Sequence, residues 1–227
     1  LGLAATHVRI LEDHFTAQAF ITTDVDDNQI TAFHPGAMME SHRNRIAEAN
    51  GVKLGIVSPD GRQGMVEHAR DLAAAGIPFV FDPGQGLPMF SGEDLLAMMK
   101  GARALAVNDY EAGIVQEKTG RGPAELAKSL DAVIVTRGAE GSVIHAGGRE
   151  IAVPAVKPDA LVDPTGCGDA YRAGLLYGMA RQWSWEKCGR LAAVMGSIKI
   201  ACRGGQNHKP ERAEIARRFQ DAFGEAL

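Results

Sequence analysis

The chain has 227 residues, 45% hydrophobic and 23% charged, a globular balance that excludes a disordered chain, a coiled coil or a collagen. Twenty-eight acidic against twenty-four basic residues give a net charge of -4, and no basic run exceeds Arg217-Arg218, which argues against a nucleic-acid partner. No apolar run reaches the ~18 residues of a membrane span, and the three cysteines, Cys167, Cys188 and Cys202, form no CxxC pair, so no membrane contact, disulfide framework or zinc site is expected and a reducing cytoplasm fits best. One large domain is the expectation from a length of this size. Glycine is abundant, 27 of 227 residues, as in α/β enzymes with tight turns and close backbone approaches.

Taken in chain order, Phe15 to His34 alternates loosely around Asp24-Val25-Asp26-Asp27-Asn28, which predicts a β-hairpin. Short apolar runs separated by helical segments follow: a strand over Lys53–Val57, a helix over about Gln63–Ala75, a strand over Pro78–Phe81 and a helix over about Asp94–Lys100. Next come a strand over Ala104–Val107, helices from Asp109 and over about Pro123–Leu130, and a strand over Ala132–Thr136. Strands apolar throughout and alternating with helices imply a mostly parallel sheet covered on both faces, a three-layer, doubly wound α/β fold. Ser91-Gly92-Glu93-Asp94 has the form of a capping box. Ser142–Val153 reads as an edge hairpin turning at Gly147-Gly148, and the chain is helical from Cys167. Ile215, Phe219 and Phe223 recur every four residues, predicting a last amphipathic helix with Pro210 in its first turn.

The segment Asp163-Pro164-Thr165-Gly166-Cys167-Gly168-Asp169-Ala170 feeds a helix. Two glycines there expose successive backbone N–H groups at the positive end of the helix dipole, which makes an anion site. An acidic residue at its mouth would repel phosphate, unless Asp169 takes the proton from a hydroxyl that attacks phosphorus. A plain Gly-rich turn with an Asp at a helix N-terminus accounts for the same residues. The loop matches neither the P-loop nor the dinucleotide fingerprint, which counts against a nicotinamide oxidoreductase. Cys167, with no partnered His in the sequence, reads as a small filler rather than a nucleophile.

This segment, continued as Tyr171-Arg172-Ala173-Gly174, resembles the C-terminal signature of the ribokinase-like (PfkB) carbohydrate and nucleoside kinases, with Cys167 for the common Ala and Tyr171 for the common Phe. The resemblance implies that Asp169 is the catalytic base and that the N–H groups of Gly166, Cys167 and Gly168 form the anion hole for the transferred phosphoryl group. Asn108-Asp109-Tyr110-Glu111 is similar to the family's N-x-x-E, whose Asn and Glu help position ATP and Mg2+ through water; the same four residues form a helix N-cap with a capping-box Glu. Thr136-Arg137-Gly138-Ala139-Glu140-Gly141 resembles the strand-ending turn that faces ATP, so Thr136, Arg137, Gly138 and Gly141 join Asn108 as nucleotide contacts. Ala201-Cys202-Arg203-Gly204-Gly205-Gln206 resembles the loop beside the adenine pocket, adding Gly204 and Gly205. In several members that loop also borders a K+ site, and carbonyl oxygens here and near Asp163 are the candidates for it.

The hairpin resembles the family's substrate lid, which also supplies a homodimer contact in some relatives. Gln18 and Phe20 on it, with Asp82 of Asp82-Pro83 at a strand end, are the implied substrate contacts. Within the family the hairpin and the stretch Ile200 to Pro210 look most like bacterial adenosine kinases, implying transfer from ATP to adenosine to give AMP. A ribose or fructose kinase shares every motif used. A non-catalytic nucleotide-binding fragment is the other alternative, because the family's segment before the lid, with its substrate-binding Asp and Gly-Gly, has no counterpart upstream of Phe15.

Overall fold

The computed structural model describes residues 5–23 and 29–227, so the turn expected at residues 24–28 lies outside the described residues. The chain divides into two compact units, one ending at Ala102 and the other spanning Arg103–Leu227.

In the first unit, β1 (Gln18–Thr23) and β2 (Gln29–His34) form the expected antiparallel ribbon, in the register Gln18↔His34, Phe20↔Ala32 and Thr22↔Ile30. Both faces carry exposed apolar residues, since alternation puts Phe20 and Ile30 on one and Ile21 and Phe33 on the other. Short 3-10 stretches at Gly36–Arg43, Ile46–Glu48 and Gly84–Met89 occupy regions where the sequence pattern predicts no element. A βαβ unit follows: β3 (Gly55–Val57) and β4 (Phe79–Phe81) pair in parallel through α1 (Arg62–Ala74). The α1 helix buries Met65, Ala69 and Leu72, the i, i+4, i+7 stripe of a helix packed on a sheet. Ser91 caps α2 (Gly92–Met99) as its sequence predicts, its hydroxyl accepting from the Asp94 N–H at 3.1 Å while the Asp94 carboxylate accepts from the Ser91 N–H.

In the second unit, β5 (Ala104–Asn108) and β6 (Ala132–Thr136) pair in parallel, and β7 (Ser142–Ala146) and β8 (Arg149–Val153) extend the sheet antiparallel at the expected edge hairpin. Every residue of Ala104–Val107 and Ala132–Val135 is buried, so these two strands are covered on both faces, as continuous apolar runs require. Helices α3 (Asp109–Thr119) and α4 (Pro123–Leu126) connect them. The α4 helix stops short of Leu130 because Ser129 turns its hydroxyl and its N–H back onto the Leu126 carbonyl, competing with the helical ladder. Helices α5 (Cys167–Ala180), α6 (Trp185–Ile200) and α7 (Arg212–Phe223) complete the unit. Pro210 lies before α7 rather than in its first turn, since the first i→i−4 bond runs from the Ile215 N–H to the carbonyl of Glu211, the capping residue. Phe219 enters a core with Leu191, Val194 and Ile198, the stripe its spacing predicts.

Glycine sets the separation of α5 and α6. A Cβ on Gly174 would stand 2.7 Å from Ala192 Cα and 2.9 Å from its N, and one on Gly178 would meet Cys188. The obstacle at Gly174 is backbone, which yields only by moving a helix. Gly174→Ala gains ~1 kcal/mol of helix propensity, but overpacking costs about 1–3 kcal/mol or more. The expected result is a lower urea midpoint for Gly174→Ala; a raised midpoint would refute the close approach.

Candidate active site

The site is built where parallel strands end and helices begin. Asn108 closes β5, Thr136 closes β6, and the register sets them side by side. Asn108 also caps α3: its Oδ1 accepts from the Glu111 N–H at 2.7 Å, and Glu111 Oε2 accepts from the Asn108 N–H at 2.8 Å. The capping reading is therefore realised, with Asn108 Nδ2 and Glu111 Oε1 taking no part in it. Beyond Thr136 the chain turns through Gly138 and Gly141, closed by the Arg137 N–H on the Gly141 carbonyl at 2.8 Å, and the Arg137 side chain is exposed.

Gly166, with φ of +81°, caps α5 and puts Asp169 in its exposed first turn. A side chain at Gly166 would be strained by that φ, and its Cβ would stand 3.0 Å from the Gly205 carbonyl oxygen, so the 163–169 loop and the 203–206 loop touch through two glycines. Of the three N–H groups expected in an anion hole, that of Cys167 is engaged in closing the turn on the Pro164 carbonyl at 3.0 Å. The N–H groups of Gly168 and Asp169 lie in the first turn, where a helix offers no acceptor of its own. Burial raises the Cys167 thiol pKa, and its sulfur lies 3.9 Å from the Asp163 carbonyl oxygen, consistent with a filler.

Three residues to which the sequence assigned no bonding role, Tyr171, Ser142 and Lys199, hold these parts together. The Tyr171 hydroxyl, buried two residues past Asp169, bonds to the buried Ser142 hydroxyl at 2.7 Å, tying α5 to the strand that follows the Thr136–Gly141 turn. Burial pushes the Tyr171 phenol up to about 12. Where a Phe would need no partner, this Tyr needs one. Lys199, fully buried near the end of α6, donates to the Asp163 carbonyl at 2.8 Å and to the Cys202 carbonyl at 3.0 Å.

Asp163 is the most heavily bonded residue of the loop. Its carboxylate accepts from the Gly204 N–H at 2.7 Å and the Thr165 N–H at 2.8 Å, and its own N–H donates to the Ile200 carbonyl. The Gly204 N–H foremost, then Thr165 and the charge of Lys199, hold its pKa down at about 2. In the first unit, Gln18 and Phe20 share one face of the ribbon, and Phe20 is exposed. Asp82 is buried directly after β4, its N–H on the Val57 carbonyl at 2.8 Å, at the strand end its sequence predicts.

Because the Asp163 pKa is lowered on folding, its stabilisation is complete above the ordinary value of 3.8 and is lost as pH falls through about 2. In urea unfolding followed against pH, Asp163→Asn is expected to be less stable than wild type at neutral pH, with the gap narrowing as pH falls from about 4 to about 2. A gap unchanged across that window would count against the charge-assisted role of this carboxylate.

Comparison with known proteins gives the family and the fold. Residues 1–212 match the model of the pfkB family carbohydrate kinases. A nucleoside kinase of Methanocaldococcus jannaschii is 32% identical over 92% of this chain and 68% of its own. The structure of a Burkholderia thailandensis nucleoside kinase in complex with inosine is 53% identical and superposes with a TM-score of 0.96 over 99% of this chain and 74% of that one. The same enzyme in an ADP-inosine complex gives 0.95. An adenosine kinase of Sinorhizobium meliloti, at 24% identity and a TM-score of 0.75, shares the fold. The fold is thus the ribokinase-like α/β fold, and the chain belongs to the pfkB family of carbohydrate kinases, which are phosphotransferases.

Proposed function

We propose that this chain is a nucleoside kinase that transfers the γ-phosphoryl group of ATP to the 5′-hydroxyl of a purine nucleoside, accepting adenosine, to give AMP, as well as inosine. The observation that carries this reading is the likeness to a nucleoside kinase whose structures contain inosine and ADP with inosine. In it, Asp169 accepts the proton of the attacking hydroxyl, which closes in line on the γ-phosphorus while ADP leaves. The developing charge is met by the first-turn N–H groups of Gly168 and Asp169, with Gly166 before them, and by the positive end of α5. Thr136, Arg137, Gly138, Gly141, Gly204 and Gly205 line the nucleotide's place, and the exposed Arg137 suits a phosphate. Gln18, Phe20 and Asp82 are assigned to the nucleoside.

Among the described residues no group of three His, Cys, Asp or Glu side chains gathers in a way that could hold a metal. The reading assigns Mg2+ to phosphate and water, with Glu111 Oε1 accepting from a water of its shell and Asn108 Nδ2 donating to a phosphate oxygen. Bound there, the ion would neutralise charge on the phosphates. Among the described residues no helix is long and apolar enough to cross a membrane.

Two measurements test the reading. ADP release with adenosine, inosine, ribose or fructose is expected to rise with both nucleosides; a response to ribose or fructose alone would replace it with a sugar kinase. Asp169→Asn is expected to keep ATP affinity by calorimetry while turnover falls by at least ~10²-fold. Near-normal turnover would take the proton from Asp169 and give it to another group.

A further inference from the structure

The most unusual group in the second unit is the ammonium of Lys199. It has no solvent exposure, on a residue type that is almost never fully buried unpaired. Removing such a charge from water is costly unless fixed oxygens replace the water. Here the replacements are main-chain carbonyls of two different loops, Asp163 at 2.8 Å and Cys202 at 3.0 Å. The first opens the loop that ends at Asp169, and the second opens the loop containing Gly204 and Gly205. Asp163 adds a second tie in the same place, its carboxylate taking the Gly204 N–H, and Gly166 lies against Gly205.

A buried cation on main-chain carbonyls is the chemistry of a bound K+, whose hydration shell is replaced by such oxygens. The carbonyls that the family resemblance offers as candidates for a K+ are those near Asp163 and of residues 201–206, and Lys199 is already bonded to one in each. A metal cation placed beside them would also meet the repulsion of the ammonium at short range. The residues present therefore do not fit a monovalent metal.

We propose that Lys199 is the resident cation of the two glycine loops: a positioning residue whose ammonium fixes Asp163 and Cys202, and through them the Asp169 loop, so that phosphoryl transfer by this chain needs no K+. The proposal rests on phosphoryl transfer being the reaction, whichever hydroxyl accepts.

The test compares wild type, Lys199→Ala and Lys199→Met in tetramethylammonium, Na+, K+ and NH4+ chlorides at equal ionic strength, reading both melting temperature and ADP release. Wild type is expected to show turnover within twofold and the same melting temperature in all four salts. Lys199→Ala, which opens a charge-sized space against the carbonyls, is expected to lose turnover by roughly 10²-fold in tetramethylammonium. NH4+ or K+ should restore at least tenfold of that and raise its melting temperature. Lys199→Met fills the space without charge, so it should lose turnover as Lys199→Ala does and respond to no cation; near-wild-type turnover in Lys199→Met would mean a merely space-filling side chain and overturn the proposal. K+ activation of the wild type, or a Lys199→Ala variant whose rate and melting temperature both ignore NH4+ and K+, overturns the proposal. If neither variant folds, K+ activation of the wild type would still overturn the proposal. Absence of turnover with every acceptor would overturn the assigned reaction instead, and the melting response of Lys199→Ala would still report on the cation.

Discussion

The glycine loops around Asp169 depend on a charge buried at the end of α6. Residues 163–169 and 203–206 have almost no apolar side chain with which to pack, so hydrophobic burial cannot select one conformation for them. Hydrogen bonds to charged groups can, being about twice as strong as neutral ones and costly to leave unmade in a water-poor interior. Lys199 and Asp163 supply four such bonds between them: two from the ammonium to carbonyls, and two from main-chain N–H groups to the carboxylate. Any alternative path for either loop would strand a buried ammonium. This penalty adds to the bonds themselves in disfavouring other shapes for the Asp169 loop.

The second constraint is the termination of two parallel strands in register. Because β5 and β6 are apolar on both faces, polar side chains can enter the sheet only at its ends, and Asn108 and Thr136 do so as neighbours. Asn108 and Glu111 then spend one oxygen each on starting α3, a cap worth about 1 kcal/mol, while the remaining polar atoms stay outside the cap. The helix start and the place proposed for a hydrated ion thus call on different atoms of the same two side chains. Tyr171 and Ser142 bring α5 to this strand end through one buried hydroxyl pair.

Much of this was legible in the chain as written. The alternation of apolar runs and helical segments, the boxes at Ser91 and Asn108, the edge hairpin at Gly147-Gly148 and the stripe on α7 are set by neighbours within four residues, where periodicity and capping chemistry act. The misreadings were also local, but involved competition. Ser129 ended α4 by bonding backwards, Glu211 took the cap that Pro210 suggested, and the Cys167 N–H closed a turn instead of facing outward. In each case two plausible hydrogen-bond partners existed, and sequence spacing does not rank them.

By itself, then, the sequence determined the α/β class, the kinase signature from Asp163 to Gly174 and the position of Asp169, the residue proposed to take a proton, because all of these are written in contiguous or periodic residues. Only the tertiary structure decided what holds them. Lys199 and Asp163 are 36 positions apart, Gly204 and Asp163 are 41, and Ser142 and Tyr171 are 29. In the sequence, a lysine in the last turn of a helix reads as a solvated partner of the helix dipole. It becomes a buried cation only when the chain returns to cover it with carbonyl oxygens, and no local pattern records that return.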